Sequence, residues 1–166
     1  SDNEGNTPLH IAAIYGSKEI TEVLLADQRV ERNPRNKHLQ TPLHCSIING
    51  YEIECYKVLI NDDKIDIHAK DDRNGSILYY AAGFCFEAVD LIVDKCLDQI
   101  NDKTIDEMTP LHNACLQDEI DIVKRFLQIP GIKVNEENAH GDTPYTLTSD
   151  QQIKDLISNY MKENDI

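Results

Sequence analysis

The chain has 166 residues, 40% hydrophobic and 28% charged, enough to bury a substantial core and too apolar for wholesale disorder. Its formal charge of −14, from 30 acidic against 16 basic residues, opposes tight binding to phosphate backbones, which requires a basic footprint, so nucleic acid is not the expected partner. Apolar stretches are broken by charge within a few residues, as in Ala88-Val89-Asp90-Leu91-Ile92-Val93-Asp94, which argues against membrane insertion, and no secretory signal is visible.

In chain order, the first element expected is a helix opening at Thr7-Pro8-Leu9-His10. Thr can cap a helix, and Pro at the first helical position brings a preset φ where no backbone donor is needed. Leu9, Ala12 and Ala13 then form an apolar face small enough for a neighbouring helix to approach, and Gly16 ends the element. Ile20, Val23 and Leu24 follow at helical spacing as a second, core-facing helix. After it comes Arg32-Asn33-Pro34-Arg35-Asn36, a stretch with turn chemistry.

The same plan then recurs. Thr41-Pro42-Leu43-His44 opens a second unit, continued by Ile53, Tyr56, Leu59 and Ile60 and closed by the polar run Asp71-Asp72-Arg73-Asn74-Gly75. An altered opening, Ser76-Ile77-Leu78-Tyr79, precedes Val89, Ile92, Val93 and Cys96. Thr109-Pro110-Leu111-His112 precedes Ile122, Val123, Phe126 and Leu127 and the turn Ile129-Pro130-Gly131. Thr143-Pro144-Tyr145-Thr146 precedes Leu156, Ile157, Tyr160 and Met161. Successive openings are 34, 35, 33 and 34 residues apart, an internal repeat with a period near 33. The apolar residues of the second helices are expected to be mostly core.

On these motifs the chain resembles the ankyrin repeat family over essentially its whole length. The resemblance implies an all-α fold: a curved solenoid of stacked antiparallel helix pairs with projecting hairpin loops, or fingers, forming a single domain over 1–166. Repeats are expected at about 3–36, 37–71, 72–104, 105–138 and 139–166. The third departs most, with Ile77 in the Pro position and Tyr79 in the His position. Leu39, Asn74 and Glu107 replace the family's Gly two residues before the opening, which puts the finger geometry there in question. The last helix ends in the polar run Lys162-Glu163-Asn164-Asp165, as suits the end of an array, whereas the first unit starts almost at its signature. The chain begins at Ser1, so it is read as a fragment, with further N-terminal repeats or a capping helix expected.

The histidines, cysteines and asparagines of the repeats have structural roles as well as candidate chemistry. The resemblance implies that His10, His44 and His112 bond the signature threonine and tie one unit to the next; His38, His68 and His140 fall in fingers. No His-x-x-x-His pair offers two ligands on one helical face. The five cysteines, Cys45, Cys55, Cys85, Cys96 and Cys115, are odd in number and lack Cys-x-x-Cys spacing, so they read as reduced, buried thiols of an intracellular, cytoplasmic protein. Cys45 and Cys115 follow signature histidines directly, but adjacent helical residues point in different directions, which argues against a thiolate-imidazole nucleophile. The segment Lys70 to Gly75 fails as a calcium loop, with Lys70 at the first ligand position and Ala81 at the last. No catalytic, metal or cofactor site is expected. Asn33, Asn101 and Asn135 stand eight residues before their signatures, with His68 at the matching place; the resemblance implies that such residues order the finger turn, and that the Asn can also be hydroxylated.

The expected activity is therefore binding of another protein or peptide by a scaffold that is monomeric as an isolated domain. The resemblance assigns the seventh and eighth residues after each signature Thr or Ser to the concave surface: Ile14 and Tyr15, Ile48 and Asn49, Gly83 and Phe84, Leu116 and Gln117, Asp150 and Gln151. Four successive repeats carry a large apolar residue there, and a contiguous stripe of that kind requires an explanation; the alternative is that these side chains tuck between helices. Gly83 is expected to leave space beside Phe84 for a partner side chain. Finger residues Arg35, Lys37 and Arg73 complete the candidate surface. Arg29, Arg32, Arg35 and Lys37 against Glu31 suggest a basic finger, opposed to an acidic last repeat, a polarity suited to orienting a partner. Two rivals are a targeting or regulatory ankyrin domain of a larger enzyme or effector, and a cysteine hydrolase, which lacks any convergence of Cys, His and acid.

Overall fold

The computed structural model describes residues 1–49 and 52–165. Within them the chain forms five pairs of helices: α1 (Pro8–Ile14) and α2 (Lys18–Ala26), α3 (Pro42–Asn49) and α4 (Ile53–Ile60), α5 (Ile77–Phe84) and α6 (Phe86–Ile92), α7 (Pro110–Leu116) and α8 (Ile120–Leu127), α9 (Pro144–Leu147) and α10 (Gln151–Glu163). The first helices of the pairs pack in one row, α1 to α9, and the second helices in another, α2 to α10, each in contact with its neighbours along the row. No strand occurs among the described residues, only an isolated bridge between Lys70 and Ser76.

The signatures start helices for the reasons that their chemistry suggests. Pro occupies the first turn of α1, α7 and α9. Ser76 Oγ accepts from the Tyr79 backbone N–H at 3.1 Å, and Thr109 Oγ1 accepts from that of His112 at 3.3 Å. The histidines complete the reciprocal half of the cap: the backbone N–H groups of Thr7, Thr41 and Thr109 donate to Nδ1 of His10, His44 and His112 at 3.1, 3.2 and 3.2 Å. With Nδ1 accepting, Nε2 carries the proton, and it reaches into the next unit: to the carbonyl of Gln40 at 2.9 Å, Gly75 at 3.3 Å and Asp142 at 3.2 Å, respectively. These imidazoles are thus neutral staples between units, buried with no exposed surface.

The fingers keep one backbone geometry whatever residue occupies their turn. Leu39, Asn74 and Glu107 adopt φ of +55°, +59° and +57°, while Gly5 and Gly141 hold the equivalent places at +79° and +80°. The departures from Gly therefore alter cost and not shape. Successive fingers are joined by backbone bonds: Lys37 N to Glu4 O at 2.9 Å, Asp72 N to His38 O at 3.0 Å, Ile105 N to Arg73 O at 2.9 Å, and Ala139 N to Asp106 O at 3.0 Å. Asn33 and Asn101 also act between units. Asn33 donates to Lys64 O and accepts from Asp66 N at 2.7 and 2.8 Å; Asn101 does the same with Gly131 O and Lys133 N at 2.8 and 2.9 Å. They order the neighbouring finger, not their own turn.

The core is continuous, from Leu9 and Ala13 through Leu43, Tyr56, Leu78, Val89, Leu111 and Phe126 to Ile153 and Ile157. Several second-helix expectations need correction. Ile20 and Val23 are exposed, because in other units this face packs on the preceding unit: Ile122, thirteen residues after its signature as Ile20 is after Thr7, is fully buried, and Arg125, in the register of Val23, reaches Asp90 and Asp94. Ile53, expected in the core, is also exposed. The helix of the third pair stops at Ile92, with 3₁₀ turns at Val93–Lys95 and Leu97–Gln99, so Val93 and Cys96 are buried outside α6. In the last unit Ile153 and Ile157 carry the core contact, while Leu156, Tyr160 and Met161 are half-buried.

Candidate protein-binding surface

At the ends of the first-row helices, large apolar side chains remain in solvent. Tyr15 is 74% exposed, Phe84 58% and Leu116 47%, while Ile14 and Ile48 are half-buried, Ile14 being packed against the core. The apolar stripe is accordingly interrupted. Asn49 turns its amide back to the Cys45 carbonyl at 2.7 Å, Gln117 is exposed, Asp150 caps α10 through bonds to Gln152 N and Ile153 N, and Gln151 donates to Asp155. Exposed apolar residues outside the expected stripe join them: Phe86 beside Phe84, Ile53 of the preceding unit, which was expected in the core, and Leu39 and Ile105 on the fingers. A signal for Phe86 was present in the sequence, since it lies ahead of the buried run beginning at Ala88.

Gly83 does not leave room for a partner. It is buried, and a Cβ built on it would sit 2.6 Å from Nδ2 of Asn113, whose amide crosses from the next unit to donate to the Tyr79 carbonyl at 2.8 Å. This bond joins the third and fourth units where Tyr79 replaces the signature histidine.

The basic finger is largely consumed internally. Arg29 pairs with Asp27 at 2.6 Å. Arg32 is buried: Nη1 donates to Asp27 O at 2.9 Å and Val30 O at 2.5 Å, Nη2 donates to Leu25 O at 2.5 Å, and Nε lies 3.8 Å from an Asp62 oxygen, too far for a hydrogen bond. It is nine residues before its following signature, where Ile67, Ile100 and Val134 stand in later units. Arg35 donates to the carbonyls of Leu39 and Lys70, and Arg73 pairs with Asp106 on the next finger. Lys37 is exposed without an ion-pair partner among the described residues.

The thiols and imidazoles are poorly set for chemistry. All five cysteines are free and buried, and burial pushes Cys45 up to about 11 and Cys96 and Cys115 up to about 12, which leaves them protonated at neutral pH. Burial lowers His44 to about 4 and depresses His10 and His112 as well. No group of three or more His, Cys, Asp or Glu among the described residues could hold a metal ion, and no helix there is long and apolar enough to cross a membrane.

A family model for ankyrin repeats, in three copies, matches residues 1–71 and 54–138. The chain belongs to the ankyrin repeat family. Curated proteins similar to it include alpha-latrocrustotoxin-Lt1a of Latrodectus tredecimguttatus, 39% identical over 42% of this chain and 5% of that protein. The human SMC5-SMC6 complex localization factor protein 1 is 29% identical over 76% of this chain and 12% of its own length, and mouse Rabankyrin-5 is 26% identical over 86% and 12%. The array thus spans a small fraction of the relatives that it matches. Ankyrin repeats are generally protein-interaction modules.

Proposed function

We propose that this ankyrin array is a non-catalytic recognition module, binding a protein or peptide through the ends of its first-row helices and its fingers, on the face the family assigns to the concave surface. The observation that carries the reading is Phe84, a large aromatic side chain held mostly in solvent at the end of a helix whose other face is completely buried. Burying such a ring against a partner contributes roughly 1.5 to 3 kcal/mol before association costs. Affinity capture from a cell extract, followed by reconstitution with the purified retained protein, tests it. Phe84→Ser should weaken that complex at least tenfold, about 1.4 kcal/mol, with an unchanged melting curve. A complex indifferent to Phe84→Ser, Lys37→Ser and Arg73→Ser alike would place recognition on another face, and no specific complex of the folded array would remove the reading.

The small share of each relative's length that is matched favours a second reading, in which the array targets or regulates a larger enzyme or effector. One relative is named as a localization factor for a protein complex, a use of this kind. The full-length gene decides between the readings: a catalytic domain on the same chain supports the second.

A further inference from the structure

The turns between first-row and second-row helices follow one another along one edge of the array, and side chains tie the first turn to the second and the fourth to the fifth. The stem of Glu52 lies against Gly16, where an added Cβ would come within 2.7 Å of it. Cys85 donates its S–H to the Tyr56 hydroxyl at 3.1 Å, joining the third turn to α4. The Asp118 carboxylate accepts the hydroxyls of Thr148 and Ser149 at 2.6 and 2.7 Å, joining the fourth turn to the fifth. Tyr15, Ile53, Phe84, Phe86 and Leu116, from four successive units, are all exposed on this edge. The core behind them is closed by Leu78, Ala82, Ala88 and Val89, so stacking does not account for the two rings that flank Cys85.

The charge of the edge has one sign beyond the first turn. Segments 49–54, 84–88, 116–120 and 148–152 contain Glu52, Glu54, Glu87, Asp118, Glu119 and Asp150, and no Lys or Arg. Glu54 is paired with Lys18 and Lys57, Asp118 is held by two hydroxyls, and Asp150 caps α10. Glu52, Glu87 and Glu119 have no ion-pair partner among the described residues. Glu87 directly follows Phe86 in the chain and is exposed.

We infer that this edge docks a basic amphipathic segment of another protein: a peptide or helix that presents apolar residues to Phe84, Phe86 and Leu116, and Lys or Arg to Glu52, Glu87 and Glu119. The inference rests on the protein-recognition reading and names the partner's chemistry. Like charges oppose a second copy of the edge, and the net charge of −14 opposes nucleic acid and anionic lipid. A segment with flanking Lys or Arg is the occupant that both the rings and the carboxylates favour.

The test is a displayed library of randomised 16-residue segments selected against the intact array, with winning peptides synthesised and titrated. Winners should carry net positive charge with apolar residues at three- and four-residue spacing. Their affinity should fall at least tenfold with Phe84→Ser plus Phe86→Ser, and at least tenfold with Glu52→Lys plus Glu87→Lys. High salt should narrow the second difference and spare most of the first. If the aromatic double variant unfolds, the charge-reversal pair, at two exposed positions, stands as the deciding measurement. Neutral or acidic winners overturn the inference. So do winners that ignore both pairs and are lost with Lys37→Ser plus Arg73→Ser, although these leave protein recognition standing. Absence of any enriched segment also overturns it, and the capture experiment then judges the broader reading separately.

Discussion

Acid should loosen this array well before its carboxylates begin to protonate, and His44 sets the magnitude. Its imidazole is fully buried, accepts the Thr41 backbone N–H through Nδ1 and donates through Nε2 to the Gly75 carbonyl, so a second ring proton would break the bond to Thr41. In the folded array burial lowers it to about 4 from an ordinary value of 6.5. The unfolded chain therefore binds a proton that the folded chain refuses. The contribution is fully present above about pH 6.5 and is lost as pH falls toward 4. At about 1.4 kcal/mol per pH unit, His44 alone should remove roughly 2 kcal/mol by pH 5. His10 and His112 are shifted in the same direction for the same cause and steepen the slope. The assay is urea unfolding followed by circular dichroism at pH 7.5, 6 and 5, on the parent chain and on His44→Gln. The variant should be less stable at pH 7.5, by about 1 to 3 kcal/mol for the lost bonds, and should lose less stability on acidification. A parent stability that is flat from pH 7.5 to 5, or a His44→Gln slope equal to the parent's, would refute the assignment of these histidines as neutral staples.

Leu39→Gly should raise stability by about 0.5 to 1 kcal/mol, because glycine relieves the left-handed strain at φ +55° and returns part of the gain through unfolded-chain entropy; a lower denaturation midpoint would contradict this. Arg32→Ala should cost about 3 kcal/mol by stripping three carbonyls of a charged donor, and Arg32→Ile, the residue type at Ile67 and Ile100, should cost less; the reverse order would show that the polar network outweighs packing. Gly83→Ala should destabilise by about 1 to 3 kcal/mol through the clash with Asn113, and addition of Asn113→Ala should recover part of the loss; additive costs in the double-mutant cycle would mean that the two sites do not touch.

The repeat period and the signature chemistry make the architecture legible in the sequence alone. Helices begin at Pro8, Pro42, Ile77, Pro110 and Pro144 because capping and a preset Pro φ are local effects, decided within four residues. The roles of His10, His44 and His112 were legible for the same reason, together with the near-constant spacing that brings each finger under the preceding imidazole. What sequence spacing could not decide was which side of each helix another unit covers. Ile20 and Ile122 occupy the same register with opposite burial, because Ile122 is covered by the unit before it in the array, a contact that no spacing within its own helix records. Nor could composition show that Arg29, Arg32 and Arg35 are bound by their own backbone and neighbours, leaving Lys37 as the finger's free cation among the described residues. Gly83 marks the same boundary: the missing side chain is visible in the sequence, but only the stacked structure shows that Asn113, 30 residues further along the chain, fills the space. Local bonding fixes where the helices start; contacts between units decide which of their residues are left for a partner.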